Sequence, residues 1–332
     1  MRKFFVNVQG GTGLNVSLTQ VIADLKEKNP DEYEFNVMSP YSDLFQCCDG
    51  VENVYTPNQA REFLFDAKAA DAEIVTTRLY DISDFIYKRM NYKQAWLHLL
   101  GIKYDKKTQP SDLTTKLDPV SKFPLIGNQV KEVEKTIKEN GFEDFVIMQF
   151  YGGQSPLVSV PLGTDEKGNK FPDWSKVPYN GDNEPLQRHY PSDMANKFIQ
   201  LFKQEHPKTA VVMFQLPNEP RYDGTFVFTV PYLAYYELAK SADCRGIVAI
   251  DSCLHHLVAG ITKAVVLWGH SEPDAFGYDY QKNIIQDCRR DDIIYMSMLG
   301  PCANKIRYIK PEALLKEVDD YLFEEKKEEA NA

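Results

Sequence analysis

Long apolar runs, a regular cysteine pattern and an excess of basic charge are all missing from this 332-residue chain. Each absence removes a class of function. No stretch approaches the ~18 uninterrupted apolar residues of a membrane span. The N-terminal apolar run Phe4-Phe5-Val6-Asn7-Val8 stops at Gln9-Gly10-Gly11, short of the roughly 7–15 residues of a secretory h-region, so the expected compartment is cytoplasmic. The six cysteines (Cys47, Cys48, Cys244, Cys253, Cys288 and Cys302) form no CxxC and no regular framework, which fits reduced thiols and leaves no zinc-ligand spacing. Neither a metal nor a cofactor is expected. With 38 Lys+Arg against 48 Asp+Glu and a net charge of −10, the chain does not suit a sequence-independent partner of nucleic acid or anionic membrane; a local basic groove stays compatible with that balance. What is present is a hydrophobic content of 43% on a length above the roughly 250–300 residues at which one core divides. Two domains follow.

The order of elements is that of a parallel α/β protein. Residues 3–8 read as a buried strand that ends at Gly10-Gly11-Thr12-Gly13. Leu14, Leu18, Val21, Ile22 and Leu25 then mark one face of a helix that stops near Asn29-Pro30. Strands are predicted at 34–38, 52–55 and 73–76, a turn at 39–41, a short helix over 42–48, a long helix over 83–100, and a helix over 128–140 closed by Gly141. A second run of strands follows at 145–150, 211–215, 226–228, 246–250 and 264–268, with helices near 192–206, 231–241, 253–260 and 311–323. The Pro- and Gly-rich segment 152–191 is too long for an ordinary connection and is either functional or mobile, and the tail 324–332 is expected to fray. The boundaries predicted are a first Rossmann-like domain over 1–141, a second over 142–310, and a terminal helix and tail over 311–332, with two parallel sheets covered on both faces.

Ligands of such sheets bind beyond the carboxyl ends of the strands. The Gly10–Gly13 turn is neither a P-loop, since no Gly-Lys-Ser/Thr follows, nor GxGxxG in register, and a plain tight turn explains it equally well. In Asp251-Ser252-Cys253-Leu254-His255-His256, Asp251 or Ser252 can simply cap a helix. The same geometry offers a hydroxyl and free amides to a diphosphate, with His256 one turn on. Trp268-Gly269-His270-Ser271-Glu272-Pro273 and Gln215-Leu216-Pro217-Asn218-Glu219-Pro220 also close strands. Three such loops, from three consecutive strands, bring polar groups to one sheet edge.

At these residues the chain resembles the ADP-heptose:lipopolysaccharide heptosyltransferases of glycosyltransferase family 9, whose fold is GT-B, two facing Rossmann-like domains. Val248-Ala249-Ile250-Asp251-Ser252 to His256 is similar to the family's G-V-D-S/T-G-x-x-H loop. Val265 to Pro273 is similar to its x-G-P-T-D/E-P loop, and Gln187-Arg188-His189-Tyr190-Pro191 to its K-x-W-P segment. The opening strand, glycine turn and helix, the segment 39–45, and Tyr92 to Ile102 with its Leu99-Leu100-Gly101 close extend the likeness over nearly the whole chain.

The resemblance implies an inverting, metal-independent transfer of a heptose-like sugar from a nucleotide-diphosphate donor, ADP-sugar favoured, to a glycan hydroxyl. Arg188, Asn218, Glu219, Asp251, Ser252, His256, Gly269, Ser271 and Glu272 would serve the donor, and Gly11, Thr12 and Gly13 would form the acceptor-side loop. Arg188 stands where the family has a phosphate-contacting Lys, and its fork suits a diphosphate. Two positions depart from the pattern. Cys253 replaces a Gly, and Leu14 stands where the family carries its catalytic Asp. Leucine accepts no proton, so another base is required: Asp43 and Asp81 follow predicted strands, Asn15 is adjacent but not basic. The alternatives are a sugar-nucleotide-binding protein without turnover, or a transferase acting on a protein or a modified nucleobase.

Overall fold

In a computed structural model of the chain, the described residues are 1–86, 89–152, 162–164, 170–172, 189–216, 219–269, 273–285 and 309–324. The first half runs β1 (Arg2–Val8), α1 (Thr12–Lys28), β2 (Tyr33–Met38), α2 (Ser42–Gln46), β3 (Val51–Tyr55), α3 (Ala60–Ala69), β4 (Glu73–Thr77), α4 (Ser83–Ile86), α5 (Tyr92–Leu99), α6 (Pro119–Lys122) and α7 (Pro124–Glu139). The second runs β5 (Asp144–Gln149), β6 (Leu162–Thr164), β7 (Lys170–Pro172), α8 (Ser192–Glu205), β8 (Thr209–Met213), β9 (Phe226–Val227), α9 (Tyr232–Ala239), β10 (Cys244–Ile250), α10 (Cys253–Leu257), β11 (Ala264–Trp268), α11 (Pro273–Phe276), β12 (Lys282–Ile285) and α12 (Pro311–Leu322).

Two sheets result, both wholly parallel. The first has the order β3-β2-β1-β4 and the second β12-β11-β10-β5-β8-β9. Counted from its own first strand, the six-stranded sheet reads 3-2-1-4-5-6, the doubly wound order, and the four-stranded sheet is the first part of the same order. The only antiparallel pair among the described residues is the small β6-β7 hairpin, inside the segment 152–191, most of which lies outside the described residues, as does the tail from 325.

The central strands alternate between two cores. On β5 and β10, Phe145, Ile147, Ile247 and Ala249 join one cluster, whereas Val146, Met148, Val248 and Ile250 join the other. That is why these strands read as unbroken apolar runs: a strand covered on both faces has no polar side. α8 and α12 cover one face through Phe198, Ile199, Leu314 and Val318, and each such side chain contributes roughly 1.5–3 kcal/mol on burial.

Several elements differ from expectation: α6, α11 and the β6-β7 pair were not foreseen, and three further differences have a visible cause. The single helix predicted over 83–100 is two pieces, α4 and α5, because Asn91 starts a new helix: its side chain accepts from the Gln94 N–H and the Gln94 side chain accepts from the Asn91 N–H, a full capping box. α3 was not foreseen, since it buries only Phe63 and Ala67. β12 was missed because none of its residues is fully buried. The three loop-bearing strands β8, β10 and β11 are not neighbours throughout, since β5 lies between β8 and β10.

Candidate functional site

The carboxyl ends of the two sheets meet at one cavity of about 670 Å³, a size ordinary for a small-molecule site. In each sheet it sits at the switch point where strand order reverses. From the first sheet come Gly11, Thr12 and Gly13 after β1, Pro40, Tyr41 and Asp43 after β2, and Tyr80 after β4. From the second come Gln149 and Tyr151 at the end of β5, Gln215 and Glu219 after β8, and Asp251, Ser252, Cys253 and His256 after β10.

Local bonds hold the first-sheet side in place. Gly10 takes a positive φ of 119°, a conformation open to glycine, and α1 starts after Gly11 with neither a side-chain cap nor an acidic residue in its first turn. Asn15 sits behind the turn. Its Nδ2 donates to the Gly11 carbonyl (2.9 Å) and its Oδ1 accepts from Ser39 Oγ (2.7 Å), while Ser39 Oγ accepts from the Tyr41 N–H (2.9 Å). Asn15 therefore ties the glycine turn to the 39–41 turn and does not itself line the cavity. Asp81 is exposed and likewise absent from the lining, as is the buried Gly269. Asp43 does line it. Tyr232 Oη, from α9 on the opposite side, donates to Asp43 Oδ1 at 2.9 Å, and burial, reinforced by Asp43, pushes the Tyr232 phenol far up, so it stays a donor.

On the second-sheet side, Ser252 is the N-cap residue of α10 but makes no side-chain cap; its hydroxyl donates to Gln149 Oε1 instead. Asp251 is buried and faces His255, with Oδ1 3.3 Å from Nε2. Glu219 Oε2 accepts the Leu216 N–H at 2.9 Å, yet burial dominates and pushes its carboxyl up to about 7. Arg188, Asn218, Ser271 and Glu272 lie outside the described residues.

Where the halves touch, α1 packs on α10 so closely that a Cβ on Gly13 would stand 3.2 Å from His256 Cδ2 and 3.4 Å from Cys253 Cα. Beneath this contact Gln20 makes four buried hydrogen bonds. Its Nε2 donates to Thr115 Oγ1 (2.8 Å) and the His256 carbonyl (2.9 Å), and its Oε1 accepts from Tyr92 Oη and Tyr278 Oη (both 2.8 Å). The carbonyl can only accept, so the amide orientation is settled. Tyr278 spends its proton on Gln20, so its oxygen accepts from His256 Nδ1 at 2.9 Å, which places a proton on that nitrogen.

Asp251, His255 and His256 also form the one group among the described residues whose ligand atoms all lie within 4.8 Å of one another, as a metal site requires. Binding through His256 Nδ1 would break the bond to Tyr278.

Sequence reasoning named the Gln215–Pro220 loop and the 39–45 segment without assigning Gln215 or Tyr41 to the site, and it missed Gln149, Tyr80 and Tyr232. Gln149 ends β5 and Tyr80 follows β4, so the carboxyl-edge rule could have found both. Tyr232 is reached only through the packing of α9.

No protein-family model matches the chain, and no curated protein matches it in sequence. Solved structures do match over nearly the full length. The E. coli ADP-heptose LPS heptosyltransferase II superposes with a TM-score of 0.59 at 12% identity, covering 98% of this chain and 100% of that one. A family 9 glycosyltransferase of Veillonella parvula gives 0.60 at 12% identity, with 97% of each chain covered. E. coli heptosyltransferase WaaC, solved with ADP, gives 0.52 at 12% identity, covering 96% and 99%. The fold is thus the α/β, GT-B-like fold of the family 9 heptosyltransferases, as the sequence resemblance implied.

Proposed function

We propose that the protein is a glycosyltransferase that moves a heptose-like sugar from a nucleotide-diphosphate donor, an ADP-sugar by preference, to an acceptor hydroxyl with inversion and without a metal. The observation that carries this reading is the cavity at the switch points of both sheets, which gives a donor and an acceptor one shared space. The division of labour follows the sheets: 142–310 holds the nucleotide and 1–141 the acceptor. At the donor side Asp251, Ser252, Glu219 and His256 line the space, and Arg188 supplies the charge that a leaving diphosphate needs. The uncapped first turn of α1 favours negative charge at the same place. Stabilising charge that develops on the leaving group is the main electrostatic contribution open to such a site.

Calorimetry with ADP tests the assignment. Arg188→Ala and Ser252→Ala should each weaken ADP binding by about tenfold or more, as loss of a charge-assisted hydrogen bond does. Unchanged affinity in both would remove these residues from the donor site.

A second reading, a sugar-nucleotide-binding protein without turnover, is favoured by one observation: Leu14, at the position of the family's catalytic Asp, lines the cavity as an apolar side chain. Leu14→Asp separates the two. A gain of transfer in the variant over an inactive wild type supports the second reading, and an active wild type excludes it.

A further inference from the structure

We propose that the acceptor subsite lies on the first-sheet side of the cavity, between Tyr41, Asp43 and Tyr80, and takes an uncharged sugar whose attacking hydroxyl gives its proton to Asp43. This rests on the glycosyl-transfer reading above and adds the acceptor class and the base that Leu14 cannot be.

Among the described residues, Asp43 is the carboxylate that the first half contributes to the cavity; Glu219 and Asp251 come from the second. Tyr232 donates to Asp43 Oδ1 at 2.9 Å and fixes the carboxylate from across the cleft. No described residue donates to Oδ2, so that oxygen is the one placed for an acceptor hydroxyl. Two residues earlier, Tyr41 is 6% exposed, lines the same cavity, and its hydroxyl has no hydrogen-bond partner among the described residues. A buried hydroxyl left unpaired is costly. A sugar hydroxyl, which both donates and accepts, satisfies it.

The surrounding surface selects the kind of sugar. Pro40, Tyr80 and Leu14 present carbon faces on which a sugar ring can rest, and no Lys or Arg is among the described residues lining the cavity. A phosphate or carboxylate on the acceptor would face the Asp43 charge with no described cation to offset it, and the partial positive charge of the α1 first turn is already taken by the donor's diphosphate. In the step itself, the acceptor oxygen bonds to the anomeric carbon as that carbon's bond to the diphosphate oxygen breaks. The acceptor proton passes to Asp43, and the diphosphate leaves with the bonding pair.

The test uses the full chain saturated with ADP and ligand-observed NMR titration of paired probes: methyl glycosides of glucose, galactose, mannose and N-acetylglucosamine, each beside its uronide or 6-phosphate. At least one neutral glycoside should bind, with its anionic counterpart about tenfold or more weaker. Asp43→Asn, which keeps shape and removes charge, should narrow that gap to within about threefold. Tyr41→Phe should weaken the neutral sugar about fivefold, the loss of one hydrogen bond. The nucleotide sugar that binds most tightly should transfer to that glycoside, and Asp43→Asn should slow transfer about 10²- to 10⁴-fold at unchanged ADP affinity.

A tighter anionic probe, a gap unmoved by Asp43→Asn, no neutral glycoside bound to the ADP-loaded protein, no transfer by wild type, or a rate loss under about tenfold would each overturn the proposal. Failure of ADP itself to bind would instead overturn the transfer reading beneath it.

Discussion

Gln20 is the residue whose removal should report most clearly on how the two halves are joined. It is buried, its four hydrogen bonds use every donor and acceptor the amide has, and they reach Tyr92, Thr115, the His256 carbonyl and Tyr278. Gln20→Leu keeps the volume and deletes the polarity. The His256 carbonyl is not orphaned, because Thr115 Oγ1 also donates to it at 2.6 Å. Tyr278 can turn its O–H to His256 Nδ1, and the histidine then moves its own proton to Nε2. That leaves the fully buried Tyr92 hydroxyl with only the neighbouring Tyr278 oxygen in place of its amide acceptor. Four hydrogen bonds are lost, each worth about 0.5–1.5 kcal/mol net, and the Tyr92–Tyr278 pairing recovers part, so a loss of about 3 kcal/mol is expected. With an unfolding entropy of about 2.1 cal/mol/K per residue, this lowers Tm by about 4 °C if the halves unfold together. Calorimetry reads the shift, and ¹⁵N chemical shifts of His256 read the change of tautomer. Adding Tyr92→Phe to the leucine variant removes a hydroxyl that has already lost its amide acceptor, so it should cost about 1 kcal/mol less there than in the wild type. A double variant that loses stability additively, or a His256 that keeps its proton on Nδ1, would refute the network as described.

Glu219 sets a pH dependence. Its folded-state value is raised to about 7 by burial, from an ordinary 4.5, so the folded state holds the proton more tightly than the unfolded chain. Its contribution, about 3 kcal/mol at most, is fully present below about pH 4.5 and is lost as pH rises through about 7. Denaturation of Glu219→Gln against wild type between pH 4 and 8 should show a flatter dependence in the variant; parallel curves would contradict the assignment. Gly13 tests the α1–α10 contact. Gly13→Ala gains about 1 kcal/mol of helix propensity against a Cβ 3.2 Å from His256 Cδ2 and should be near neutral. Gly13→Val should cost about 2–3 kcal/mol by overpacking, measured as a fall in denaturation midpoint. Equal stability of the two variants would show that the contact gives way.

The central strands of both sheets were legible because they are buried on both faces, which writes them as short apolar runs separated by helical periodicity. Some weakly buried elements left no such trace. α3 hides two side chains and β12 none completely, and α4 and α5 merged in the reading because the capping box at Asn91 sits within a continuous apolar pattern. The site was legible to the extent that it lies at strand ends: the glycine turn and the Asp251–His256 stretch both reach the cavity. What escaped was pairing across the fold. Asp43 and Tyr232 are 189 positions apart, and Gln20 and Tyr278 are 258 apart; no local pattern marks either meeting. Asn15 and Ser252 carry a related lesson. Residue type suggested chemistry for one and a helix cap for the other, whereas the structure gives Asn15 the task of bracing a turn and directs the Ser252 hydroxyl to Gln149.

The central claim, a nucleotide-sugar donor site in the cavity shared by the two sheets, is tested most directly by calorimetry and thermal shift of the purified protein against ADP, UDP, GDP and CDP and their sugars, with and without EDTA. The account predicts selective stabilisation by one nucleotide, ADP first, undiminished by EDTA; a ligand at 100 times its Kd stabilises by about 2.7 kcal/mol. No response to any nucleotide would contradict it, and a response abolished by EDTA would replace the metal-independent site with one built on a metal ion.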